Sequence, residues 1–134
     1  MNVFVSADRA GPVLTALPSG VTVDAADVAA AARDGQVRVW WEDTPVDVFF
    51  DVHDFHDAAA ASVRAVPFSG DMIPVLGCEA LAVFKVVGNR TKDWADVEAM
   101  LAVDAFDRST VVGWVVRLFG TEDQRTAHLL RLTG

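Results

Sequence analysis

Three segments carry polar side chains that the packing of their neighbours does not explain, and chemistry would be done there. The first is Asp47, inside Val46-Asp47-Val48-Phe49-Phe50, whose other members are all apolar. Asp is disfavoured in strands, and a carboxylate pressed into a dry core costs several kcal/mol. Asp47 therefore belongs on an open face or at a metal ion. A strand-borne carboxylate beside a second acidic group is a common way to hold Mg2+ for phosphoryl transfer. An edge-strand Asp facing water accounts for the residue as well, since the two-residue repeat of a strand turns Asp47 away from Val46 and Val48 in any case. The second is Lys85, which breaks the apolar run Ala80-Leu81-Ala82-Val83-Phe84-Lys85-Val86-Val87. Either its stem covers apolar neighbours while the ammonium reaches water, or the ammonium is aimed at a phosphate oxygen as a compact point charge.

The third is Asn89-Arg90-Thr91-Lys92-Asp93-Trp94-Ala95-Asp96. Asp93 as a helix cap with Asp96 three residues on has the pattern of a capping box, which by itself explains both acids. The same spacing puts both carboxylates on one side of a first helical turn, with Arg90 and Lys92 just before it. Basic and acidic groups are thus concentrated at a helix N-terminus, where anions are favoured. A fourth cluster, Asp51, His53, Asp54, His56 and Asp57, has a spacing that superficially suits a metal. A strand end running into a helix cap explains it better. His128 reads as a helix-surface residue, and Cys78 beside Gly77 as a small buried residue rather than a nucleophile. The sequence has no glycine-rich phosphate loop and no nucleophile elbow. Its four tryptophans read as core or interface, not as base-stacking platforms.

The elements that must position these groups follow from periodicity. Met1–Val5 alternates as a strand, Ala7–Leu17 holds a loop and short helix, and Val21 with Val23 marks a short strand. Asp24 caps a helix over Ala25–Arg33 that ends at Gly35. Gln36–Glu42 and Val46–Val52 form a hairpin across Asp43-Thr44-Pro45. Asp54 or Asp57 starts a helix over Ala58–Val66. Val66–Phe68 and Ile73–Leu76 form a second hairpin around Ser69-Gly70-Asp71. Helices are expected at Glu79–Val87, Asp93–Val103, Arg108–Phe119 and Glu122–Leu132. With strands first and helices last, the plan is α/β of the α+β type. It forms a single domain over residues 1–134, with a strand-rich part at 1–76 and a helical part at 77–134.

The 134 residues suit one folded domain, and 52% hydrophobic content argues against disorder. No apolar run reaches the roughly 20 residues of a membrane span. The start shows no secretory signal, and the single cysteine permits no internal disulfide, so a cytoplasmic location is expected. A net charge of −8 makes a general grip on phosphate backbones poor, though it leaves room for a local basic site.

Two segments resemble the nucleotidyltransferase-fold superfamily. Val37–Phe50 is similar to the strand pair that carries its third carboxylate. Leu81–Lys85 followed by Asn89–Val97 is similar to the lysine and Arg-Lys-Asp-x-x-Asp motif of the abortive-infection branch, which includes toxins of toxin–antitoxin pairs. The resemblance covers about Met1–Leu101. It implies a mixed sheet with C-terminal helices and transfer of a nucleotidyl group from a nucleoside triphosphate to tRNA or protein, with Mg2+. Asp47, Lys85 and Asp96 would be catalytic, with Asp47 at the metal. Lys85, Arg90 and Lys92 would bind the nucleotide, and an antitoxin would be a partner. The family's opening glycine-serine turn and Asp-x-Asp strand have no match here. Met1–Val5 looks like the end of that strand, so the chain is expected to transfer weakly and to pair with a second copy through Met1–Val5. The other reading is a non-catalytic interaction protein, a truncated remnant of the fold.

Overall fold

The computed structural model describes residues 2–5, 10–50 and 54–134. They form an α+β structure of two compact units, Met1–Ala60 and Ala61–Gly134. The second hairpin groups with the helices in the second unit.

The first unit contains β1 (Asn2–Val5), α1 (Ala10–Thr15), β2 (Val21–Thr22), α2 (Ala25–Asp34), β3 (Gln36–Trp41) and β4 (Thr44–Phe50). Nearly all of α3 (Asp54–Ala61) belongs to it too. The strands make one sheet in the order β1-β4-β3-β2. β1 runs parallel to β4, while β3 is antiparallel to both its neighbours. Alternation decides what each strand buries. Val37 and Val39 of β3 and Val46, Val48 and Phe50 of β4 pack with Leu14 of α1 and Ala31 of α2. α2 starts where expected because Asp24 accepts from the backbone of Ala26 and Asp27 while Asp27 reaches back to the Asp24 amide. It stops at Gly35, whose φ of 66° is left-handed.

Several boundaries differ from the sequence expectation. The β3–β4 turn is Glu42-Asp43, with Thr44 and Pro45 already in β4. Pro45 fits there because it lies outside the stretch, Asp47 to Phe50, that pairs with β1. α3 begins at Asp54, so Asp54 and Asp57 lie in its first turn, where the helix dipole favours them. It ends at Ala61, and Arg64–Val66 pass to a strand instead.

The second unit holds β5 (Arg64–Phe68), β6 (Asp71–Val75), α4 (Cys78–Gly88), α5 (Thr91–Ala102), α6 (Arg108–Phe119) and α7 (Gln124–Thr133). Ser69 and Gly70 both have positive φ, 51° and 91°, as the tight turn between β5 and β6 requires. α4 is the central helix, packed against α5, α6 and α7. It buries Ala80, Ala82, Val83 and Val86, and Val97, Val111, Val115 and Leu129 of the other three helices are fully buried. The Asp107 amide donates to Glu79 at 3.1 Å, fixing the start of α6 to the first turn of α4. No helix among the described residues is long and apolar enough to cross a membrane.

Candidate functional site

The junction of α4 and α5 is built around one buried carboxylate. α4 ends at Asn89, which takes up φ 52° and ψ 27°. Asn tolerates this left-handed conformation better than other side chains apart from glycine. Its backbone N–H bonds back to Lys85 O at 3.1 Å, and its Oδ1 accepts from Trp94 Nε1 at 2.9 Å. Arg90 then holds the capping position of α5; its carbonyl accepts from the Asp93 and Trp94 amides, while its side chain has no acceptor to offer. Asp93, the third residue of the helix, reaches back to it: Oδ2 accepts from the Arg90 amide at 3.3 Å and from Arg90 Nε at 2.6 Å, and Oδ1 from an Arg90 terminal nitrogen at 3.2 Å. Lys85 Nζ adds a contact at 3.5 Å. The expected cap at Asp93 with Asp96 as partner is thus corrected. The helix starts two residues earlier, and Asp93 is the responder, not the cap.

Asp93 is only 1% exposed, which is tolerable because cations and an amide surround it. The Arg90 guanidinium holds its carboxyl below the usual range, with Lys85 assisting, against the opposing pull of burial. Gly88 makes the packing feasible: a β-carbon there would lie 2.7 Å from Asp93 Oδ2. With Asp93 so engaged, Asp96 is left to Lys85, Oδ2 to Nζ at 2.6 Å. The lysine side chain is 23% exposed and that of Asp96 52%, so the ammonium sits at the surface with one face turned to the two acids. Lys92 is exposed on the first turn of α5.

Asp47 lies in the first unit, on the face of β4 opposite the core, with its side chain 27% exposed. Arg38 stands across from it in register on β3. Their pairing is bidentate, Nε to Oδ1 at 2.6 Å and a terminal nitrogen to Oδ2 at 2.9 Å. This contact holds the guanidinium pKa above its ordinary value. An open-face placement was one of the two readings of Asp47; Arg38 was not anticipated. Among the described residues no three His, Cys, Asp or Glu side chains gather as a metal centre. Of the fourth cluster, Asp51 and His53 lie outside the described residues.

Three further features escaped the sequence reading. His128 stacks on Trp94 with ring centres 4.0 Å apart, so it packs on the indole and is not simply a surface residue. Cys78 is half-buried and accepts a contact from Arg64 at 3.4 Å. Asn89, Glu122, Asp123, Gln124 and Arg125 line a cleft of about 410 Å3. Its arginine is engaged bidentately by Asp123 at 2.9 and 2.8 Å and lies 3.6 Å from the centre of the Phe119 ring. Arg125 holds the Asp123 carboxyl at a pKa of about 2.

No protein-family model matches the chain, and no curated protein matches it.

Proposed function

We propose that the protein is a nucleotidyltransferase-like protein, of the kind that serves as the toxin of a toxin–antitoxin pair. It would transfer a nucleotidyl group from a nucleoside triphosphate to RNA or protein. The observation that supports this most is the presentation of Lys85 on a rigid two-helix frame, one carbon chain away from the core and held by Asp96 at 2.6 Å. An amine fixed in direction is what stabilising charge on a transferring phosphoryl group requires, because a preorganised cation costs no reorganisation as the charge develops. Asp96 orients it. Arg90 and Lys92 add positive charge at the same helix start, and the resemblance further implies Asp47 as the carboxylate at Mg2+. Two-metal transfer uses several carboxylates, so the 134 residues by themselves should turn over slowly. The resemblance in the Lys85–Asp96 segment is the second support.

A second reading, a non-catalytic interaction protein, has its own observation. Lys85 and Arg38 are both already paired to carboxylates, as structural ion pairs are. β1 is also an edge strand of its sheet among the described residues, as is the two-residue β2, and an edge of this kind is a ready surface for pairing with another chain.

One set of measurements separates the two. Incorporation of labelled nucleotide into total RNA and protein is measured with Mg2+ for the chain and for Lys85→Ala and Asp47→Asn. Under the transfer reading a weak signal falls about 10²- to 10³-fold in Lys85→Ala. No incorporation by the chain in any preparation, joined to a concentration-dependent dimer in sedimentation, would establish the interaction reading instead.

A further inference from the structure

One side of the β5–β6 hairpin is apolar and exposed. Alternation sets Arg64, Val66 and Phe68 on the other side of β5, and the register brings Asp71, Ile73 and Val75 of β6 to that same side. Val66, Ile73 and Val75 are half-buried there. Arg64 reaches Cys78 Sγ at 3.4 Å, so this side is turned to the start of α4. The exposed side carries Ala65 across from Pro74 and Pro67 across from Met72. All four are exposed, Met72 at 62%. Val63, one two-residue step before Ala65, is 42% exposed. This row holds no charged residue, on a chain whose net charge is −8.

The prolines decide how a partner can approach. The two-residue turn at Ser69-Gly70 makes Phe68 and Asp71 a hydrogen-bonded pair, and bonded and non-bonded pairs alternate from there. Pro67 with Met72 and Ala65 with Pro74 are therefore non-bonded pairs, whose amides point away from the partner strand. Proline has no amide to point. Each strand thus lacks an outward donor, β5 at Pro67 and β6 at Pro74, which blunts both edges against strand addition. What remains for a partner is the flat face. A two-stranded hairpin is marginal by itself and gains from having its faces covered.

We propose that the protein self-associates through this face, hairpin on hairpin about a two-fold axis. Two chains of charge −8 repel, so copies must meet on a surface without acids, and this row is one. Its shape is self-complementary. The pair nearer the turn, Pro67 and Met72, is bulkier than the pair nearer the base, Ala65 and Pro74. A two-fold axis crossing both strands between the pairs seats each tip on the other's base, Met72 on Pro74 and Pro67 on Ala65, and makes both sets of contacts at once. The row, Val63 included, offers on the order of 300–400 Å2 a copy, at roughly 60–120 Å2 for each larger side chain. That is about half of one side of a standard interface, so the dimer is of the weak, reversible class. It does not depend on the transfer reading, and it uses a surface other than β1.

The test is sedimentation of the full chain over a wide range of concentration, beside Met72→Glu and Met72→Leu. The parent should pass from monomer to dimer as concentration rises. A two-fold contact counts each substitution twice, so Met72→Glu should weaken association about 100-fold, a tenfold loss at each of the two contacts. Met72→Leu, apolar and of similar volume, should keep it. Thermal melts of both variants should match the parent, since the side chain is exposed. Added salt should tighten the parent dimer, because it screens the repulsion between two acidic chains. A parent that stays monomeric at every concentration would overturn the proposal, as would a dimer that salt loosens. Equal association of the parent and Met72→Glu would overturn it too. That result would move self-association to another surface, such as β1, and so keep the interaction reading while removing this face.

Discussion

Asp47 and Asp93 are both carboxylates bound bidentately by an arginine, yet they do different work. Asp93 is sealed, and accepts from a guanidinium and a backbone amide with an ammonium beside it. Asp47 faces partly into water, and its arginine, whose side chain is 53% exposed, can turn away at little cost. The first is committed to holding α4 against α5. The second ties β4 to β3 at the sheet surface. The comparison teaches that the Lys85–Asp96 segment contains a buried acid and an exposed acid three residues apart, and that acidity at a motif position does not by itself mean chemistry.

The largest effect should come from removing the sealed acid. Asp93→Ala removes the carboxylate that accepts from the Arg90 amide and guanidinium and leaves Lys85 with Asp96 alone, at a cost of about 2–4 kcal/mol. Denaturant melts should show it, while Asp47→Ala should shift the melt little. Comparable losses from both would erase the distinction. Gly88→Ala should follow, at about 1–2 kcal/mol, because the new methyl meets the Asp93 carboxylate and not a flexible chain end. Its signature would be a weaker penalty in an Asp93→Ala background, measurable as a double-mutant cycle.

Acid should sharpen the same contrast. Asp93 has its folded pKa depressed, chiefly by Arg90. Its contribution is complete above the ordinary carboxylate pKa of about 4. It is lost as pH falls through the folded value. Stability followed from pH 6 downward should drop on acidification in the parent and drop less steeply in Asp93→Asn. The smallest expected change is Asp96→Asn, about 0.2–1 kcal/mol, as for other exposed pairs. In the transfer assay it should nevertheless act through Lys85, lowering turnover more than it lowers stability. A variant that loses stability and turnover in proportion would show Asp96 to be structural too.

Much of the scaffold was legible in the sequence for identifiable reasons. Asp24, Asp27 and Gly35 bracket α2 with a capping box and a left-handed stop, and Ser69-Gly70 declares its turn. The site was less legible because register is not written in any one residue. Placing the turn at Asp43–Pro45 sets Trp41 across from Asp47. The observed Glu42-Asp43 turn sets Arg38 there instead. Likewise Asp93 satisfies two patterns, helix cap and third helical residue, and the choice is made by Asn89. Its left-handed turn lets α5 start at Thr91.

The same register has a temporal side. Lys85 and Asp96 are 11 positions apart, so the frame that aims the lysine closes over a short stretch of chain. β1 must instead find β4 across nearly the whole first unit, pairing Asn2 with Asp47. Contacts of that separation form late, because the chain entropy of the loop is spent before the ladder returns anything. β1, the strand beside Asp47, is therefore expected to be the last piece of its sheet to pair, so the backbone next to that carboxylate is set after the hairpin that carries it.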